Sequence, residues 1–216
     1  MVNRIIATTQ QEFDNAVAKQ QQIIKTRVIK NEINYPIITI NGGTKNNPIN
    51  IGEYNHFLII KGTSVVKAVK TNGMLLYDNA TVTVEKGTFV DARDDAVVYA
   101  KNNCKVSTHD NAKAYVEDKC VVYAHGESTI NTKGHCTVYA YDDSVIYAHD
   151  NTYIEANHSS TVSAHQECIV DAFDNSRVYA YNSTHINFFS FLPLLCLHDY
   201  ATKENKTTPT TKNKKS

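Results

Sequence analysis

The side chains able to do chemistry in this chain fall on one beat. Cys104, Cys120, Cys136 and Cys168 are separated by multiples of eight residues, and so are His109, His125, His149 and His165. Thiols or imidazoles brought together would suit a metal centre, and paired carboxylates a glycosidase-like acid and base. Rows of tyrosine would suit a contact surface or a platform for sugar rings. The carboxylates to weigh are Asp91, Glu155 and Asp171. The tyrosines are Tyr99, Tyr123 and Tyr147, with Tyr115 and Tyr139 as a second pair expected to stack on another side. Which of these meet depends on what the beat builds.

From Asp78 to Phe189 the chain is fourteen octads without a slip, from DNATVTVE and KGTFVDAR to DNSRVYAY and NSTHINFF. Within each octad, position five is Val, Ile or Ala, position three is Ala, Cys, Ser or Thr, and position seven is mostly Ala. Alternation at period two puts these three on one strand face, turned inward. Positions one and two are Asp, Asn, Gly and other polar residues that tolerate a left-handed backbone, so they mark corners. A fixed short period with a strand inside each unit predicts a parallel β-solenoid around a slim bore. The class is all-β.

The outward positions suggest the number of octads per coil. A step of 24 aligns Val97, Val121, Val145 and Ile169, the tyrosines Tyr99, Tyr123 and Tyr147, and the corner acids Asp94, Asp118 and Asp142. A step of 16 would stack Val97 on Lys113. Because like residues favour in-register ladders, the expectation is a three-sided coil of 24 residues. The octads resemble those of right-handed parallel β-helices, the pectin-lyase-like and phage-tailspike architecture, and the octapeptide-repeat solenoids of bacteria and phages. That resemblance implies right-handed winding and a phage, prophage or bacterial mobile-element context. It carries no catalytic motif, and the fold hosts lyases, adhesins and inert scaffolds alike.

The expected organisation is an N-terminal segment over 1–30, a β-helix over 31–189, a C-terminal cap over 190–201 and a disordered tail over 202–216. Thr9-Gln10-Gln11-Glu12 fits a capping box, and Phe13, Ala16 and Val17 share a face, so residues 8–22 should form a helix capping the first coil. Looser octads reach back to Gly62, and short apolar runs (IITIN, INI, FLII) suit early coils. FFSFLPLLCL should plug the far end. The tail, from Thr202, has Lys, Thr, Asn and Pro without a core-forming pattern.

Indexed at 24, Val97, Tyr99, Val121, Tyr123, Val145, Tyr147 and Ile169 share one side and make a mostly apolar face. Three coverings compete: a terminal segment, a second copy, or another protein. His125 and His149 become vertical neighbours without a third ligand, so no metal is expected. Cys120 and Cys168 lie two coils apart, about 10 Å, beyond disulfide reach, and the inward thiols read as small apolar wedges. Asp91, Glu155 and Asp171 fall on three different sides, so no acid pair forms and catalysis is not expected. No cofactor is implied.

Net charge is zero, which gives no basic field for nucleic acid. The run from Phe188 to Leu197 is too short to span a bilayer, and MVNRIIATTQ lacks the apolar core of a signal peptide. The expected setting is cytoplasmic or virion-associated. The function expected is a non-catalytic, rigid structural or protein-binding module. A glycan-binding or glycan-cleaving spike is the alternative, marked by an acidic pair in one outward groove. An inhibitor or decoy docking a protein through the flat face is a third class.

Overall fold

The structure, a computed structural model, describes residues 4–29, 37–189, 193–198 and 201–205. One strand, β1 (Arg4–Ala7), precedes a helix, α1 (Gln10–Ile29). Then come β2 (Ile37–Ile40) and two long strands, β3 (Ile49–Ile60) and β4 (Val65–Leu76). The octads supply one strand each: β5 (Thr81–Val84), β6 (Phe89–Ala92), β7 (Val97–Ala100), β8 (Lys105–Thr108), β9 (Lys113–Glu117), β10 (Val121–Ala124) and β11 (Thr129–Lys133). They continue as β12 (Thr137–Ala140), β13 (Val145–Ala148), β14 (Tyr153–Ala156), β15 (Thr161–Ala164), β16 (Ile169–Ala172), β17 (Arg177–Ala180) and β18 (His185–Phe188). β19 (Leu194–Leu197) and β20 (Thr202–Asn205) end the stack.

The strand pairings among the described residues are parallel, and from β5 to β18 they join residues 16 apart. Val97 sits on Lys113, Val121 on Thr137 and Glu155 on Asp171. One coil is therefore two octads, not three, and the expectation of a three-sided, 24-residue coil is overturned. The solenoid has two faces. Face A stacks the first part of β3 and β4 with β5, β7, β9, β11, β13, β15, β17 and β19. Face B stacks β1, β2, the later parts of β3 and β4, then β6, β8, β10, β12, β14, β16, β18 and β20. The physical reason lies in the bore. Its side chains are Val, Ile, Ala, Cys and small hydroxyls, almost all fully buried. Two sheets pressed together fill with side chains of that size, whereas a triangular bore would leave a void at its centre.

The two corners are built differently, and position three records it. At the corners leading into face A, the backbone N–H of position three reaches back three residues: Ala96 to the Arg93 carbonyl at 3.1 Å, Ser144 to Tyr141 at 3.2 Å, Ser176 to Phe173 at 3.2 Å. Position three there is only Ala or Ser. At the corners leading into face B it is only Thr or Cys, and at most of them the side chain itself bonds the carbonyl three residues back. Thr152 Oγ1 donates to His149 at 2.9 Å, Thr184 Oγ1 to Tyr181 at 2.8 Å and Cys168 Sγ to His165 at 3.0 Å.

Position one takes the left-handed conformation at both corners, with φ of 56° at Asp94 and 60° at Asp150. Its side chain often accepts the backbone N–H of position one in the preceding coil. Asp94 thus braces Asp78 at 2.9 Å, Asp142 braces Gly126 at 3.1 Å and Asp150 braces Gly134 at 3.0 Å. Asp suits the site twice over, since it tolerates positive φ and supplies the acceptor.

The helix caps the top of the stack as expected, with differences. Thr9 Oγ1 accepts the Glu12 N–H at 3.2 Å, and Glu12 takes the Thr8 N–H at 2.7 Å. These bonds, the Thr8 hydroxyl first, hold the Glu12 carboxyl below its ordinary range. Phe13 and Ala16 are buried, Gln20 accepts the Tyr54 hydroxyl, and burial pushes the Tyr54 pKa up to about 12. The Gln10 amide does a strand's work at an open edge. Its Oε1 takes the Asn50 N–H at 2.6 Å and its Nε2 donates to the Asn50 carbonyl at 3.0 Å. The helix runs on to Ile29 rather than stopping near 22, and β1 already belongs to the stack, paired with β2. The expected boundary within 31–36 lies outside the described residues.

At the other end β19 and β20 add rungs, so the stack continues through the segment expected as a cap and into the one expected as a tail. Lys203 occupies the inward register of Ile186 and is exposed. A charge at a core position of an edge strand discourages further strands from adding there. Residues 206–216, with Lys206, Lys212, Lys214 and Lys215, lie outside the described residues.

Candidate functional site: two flat ladders

The corrected register splits the seven residues expected on one side. Val97, Tyr99, Val145 and Tyr147 stand on face A, while Val121, Tyr123 and Ile169 stand on face B. Among the described residues no terminal segment lies over either face, since both ends take part in the stack. Face A exposes Tyr99, Tyr115 and Tyr147 by 42%, 40% and 44%, and face B exposes Ile169 by 45%. From Val65 to Cys196 face A carries the cations Lys67, Lys113 and Arg177 outward, and its two five-residue strands add Lys133 and one acid, Glu117, which is bridged to Lys101 at 2.8 Å. Face B carries Asp91, Glu155, Asp171 and Glu204 against Lys105. The faces are oppositely charged.

Aromatic rings stack along the axis. Tyr99 lies over Tyr115 at 5.0 Å between centroids and Tyr123 over Tyr139 at 5.1 Å. The expected stack of Tyr115 on Tyr139 is corrected, because they stand on opposite faces. Each ring in a pair covers a face of the other, and the Lys105 ammonium sits 4.8 Å above the free face of Tyr123. Each stacked pair offers ring edges and hydroxyls outward, and sugar stacking needs ring faces.

Histidines form two edge columns. His109 stacks on His125 at 5.1 Å and His125 on Tyr141 at 4.9 Å. His149 stacks on His165 at 5.0 Å, His165 on Tyr181 at 4.5 Å and Tyr181 on His198 at 4.7 Å. His125 therefore neighbours His109, not His149. Burial, then the neighbouring imidazole, lowers the pKa of both His125 and His165. Parallel rings aim their nitrogen lone pairs side by side rather than at a common point. Among the described residues no group of three or more His, Cys, Asp or Glu is placed to hold a metal ion.

The 16-residue coil brings together two acids that a 24-residue coil would separate. Glu155 and Asp171 occupy neighbouring rungs of face B, below Tyr139 and above Asn187. Asp171 takes the Tyr153 hydroxyl at 2.7 Å and the Asn187 amide at 2.7 Å, and Glu155 takes the Asn157 amide at 3.3 Å. Burial first, and then the Asp171 bond, pushes the Tyr153 pKa up. Asp91 stands four rungs away, in a salt bridge to Arg93 at 3.1 Å and 3.7 Å from His109. Ser107 Oγ lies 3.1 Å from His109 Nε2. Asp91 approaches that same nitrogen, so it cannot orient the imidazole from the far side as a catalytic triad requires.

Cys104, Cys120 and Cys136 are stacked on consecutive rungs, with Thr152 and then Cys168 below; Ser144 belongs to the other ladder. All four thiols are buried. The Cys104 contact, then burial, pushes the Cys120 thiol up; burial pushes Cys136 up and Cys168 up to about 11. Held as thiols, these three pack as wedges. No described helix is long and apolar enough to cross a membrane.

The fold defines a class, a two-faced parallel β-solenoid with octapeptide repeats. No family model, no curated protein and no solved structure matches the chain.

Proposed function

We propose that this chain is a non-catalytic, rigid solenoid that binds protein through its flat faces. One observation carries the reading: every coil from β5 to β18 closes in 16 residues, so neither face bears the inserted loops that wall a substrate cleft. A polar, tyrosine-rich plane suits protein contact, where aromatic bodies bury area and hydroxyls find partners. The octad resemblance supports a phage, prophage or bacterial mobile-element setting. The test is turnover on acidic and neutral polysaccharides, for which none is expected.

A second reading has one specific observation in its favour. Glu155 and Asp171 form the acidic pair on one face that a glycan-cleaving β-helix would use, about one rung apart. Asp171, with both oxygens already bonded and no cleft above it, speaks for the first reading. Turnover abolished by Asp171→Asn and by Glu155→Gln would promote the second.

A further inference from the structure

Resting on the protein-binding reading, we propose that the partner is a second copy of this chain, with face A of one copy on face B of another running the opposite way. The charges set the register. Lys113 and Arg177 are four rungs apart on face A, and Glu155 and Asp91 are four rungs apart on face B. Placing the rung of Lys113 over the rung of Glu155 in antiparallel fashion puts the rung of Arg177 over that of Asp91, and each cation then reaches its acid on a diagonal of about 7 Å. The same placement puts Lys67, three rungs above Lys113, over Glu204, three rungs below Glu155. Lys67, Lys113 and Arg177 of face A then each share a rung with an acid, and Lys105 of face B meets Thr161 and Ser163.

The apolar rungs follow without further adjustment. Val145 and Tyr147 lie over Val121 and Tyr123, and Val97 and Tyr99 lie over Ile169 and Asp171, where the tyrosine hydroxyl can donate to the carboxylate. The seven residues that the sequence grouped on one side thus meet across two copies. Face A on face A would set cations against cations, and face B on face B would set acids against acids.

The nine overlapping rungs span eight rises of ~4.8 Å, about 38 Å, and a four-residue strand is about 13 Å wide. The flat footprint is about 500 Å2, below the roughly 800 Å2 per partner of a stable complex. The association is therefore weak, concentration-dependent and partly electrostatic, falling as salt screens the pairs. Each copy keeps one face free, so the contact does not close and the assembly grows as an open stack.

Sedimentation velocity over a concentration series tests this on the full chain, at low and at high salt. The wild type should associate with concentration, less at high salt. Lys113→Glu and Glu155→Lys should each weaken association by about tenfold or more. An equimolar mixture of the two should recover it, because the reversed face A of one meets the reversed face B of the other. Arg177→Glu, at an exposed site, repeats the face A test should Lys113→Glu fold poorly. A wild type monomeric at every concentration, variants that associate like wild type, or a mixture that stays apart would each overturn the proposal. None of those results would touch the non-catalytic reading, which turnover alone decides.

Discussion

Removing three hydroxyls should stabilise this protein. Ser144, Ser160 and Ser176 occupy position three on successive coils, fully buried, and their Oγ atoms have no hydrogen-bond partner among the described residues. At these corners the backbone N–H closes the turn, so the hydroxyl is redundant, and Ala stands at the same position in Ala80, Ala96 and Ala112. A buried, unpaired hydroxyl costs about 1 kcal/mol or more. The triple variant Ser144→Ala, Ser160→Ala, Ser176→Ala should gain about 3 kcal/mol as an upper figure, since neighbouring rungs couple. For a chain of this size that raises the thermal midpoint by roughly 6–12 °C. Thr152→Ala is the counterpart at the other corner. It removes bonds to His149 at 2.9 Å and to Thr132 at 3.0 Å, and should lower the midpoint, while Thr152→Ser restores most of it. Circular dichroism melts of the four proteins decide the matter. A triple variant that melts as far below wild type as Thr152→Ala would refute the distinction between the corners.

Two further outcomes follow from the same architecture. Val122→Asp places an unpaired carboxylate in the bore and should cost several kcal/mol, comparable with the whole margin of stability, whereas Asp118→Asn keeps a residue that tolerates positive φ and should change the midpoint little. Chemical denaturation of both variants checks this. Stability should also fall with acid below about pH 6.5: burial lowers the pKa of His125 and His165, so the unfolded chain takes up protons first, and the loss sets in as pH drops through the unfolded value. His125 is faced by His109, Tyr141 and Asp142, and His165 by His149, Tyr181 and Ser163. Replacing both with Gln should flatten the midpoint-against-pH profile between pH 5 and 7; an unchanged slope would remove these two from the explanation.

The sequence made the strand face of each octad plain, because burial leaves positions three, five and seven little freedom. The coil length was equally present, but in a place that outward ladders obscured. Position three alternates strictly between Ala or Ser and Thr or Cys, from Ala80 and Thr88 to Ser176 and Thr184. That alternation is a period of 16, imposed by two corners with different hydrogen bonding. The recurrence of Val97, Val121 and Val145 at 24 sits on solvent-facing positions, where unlike neighbours such as Val97 and Lys113 coexist at little cost. A period of 24 separates Glu155 from Asp171 and merges seven outward residues of two faces onto one side. The capping box at Thr9 was legible as a local motif. The rung formed by Arg4–Ala7 was not, because four residues before a helix carry no periodicity and their pairing with Ile37–Ile40 spans the whole helix.

The two faces exist only if the coil closes in 16 residues, and nuclear Overhauser contacts between assigned tyrosine rings test that closure directly. The Tyr99 ring should contact Tyr115, with centroids 5.0 Å apart, and Tyr123 should contact Tyr139 at 5.1 Å. Tyr99 and Tyr123, on opposite faces, should show none in dilute monomeric protein. Contacts joining Tyr99 to Tyr123 and Tyr123 to Tyr147, with none from Tyr99 to Tyr115, would contradict the two-faced solenoid.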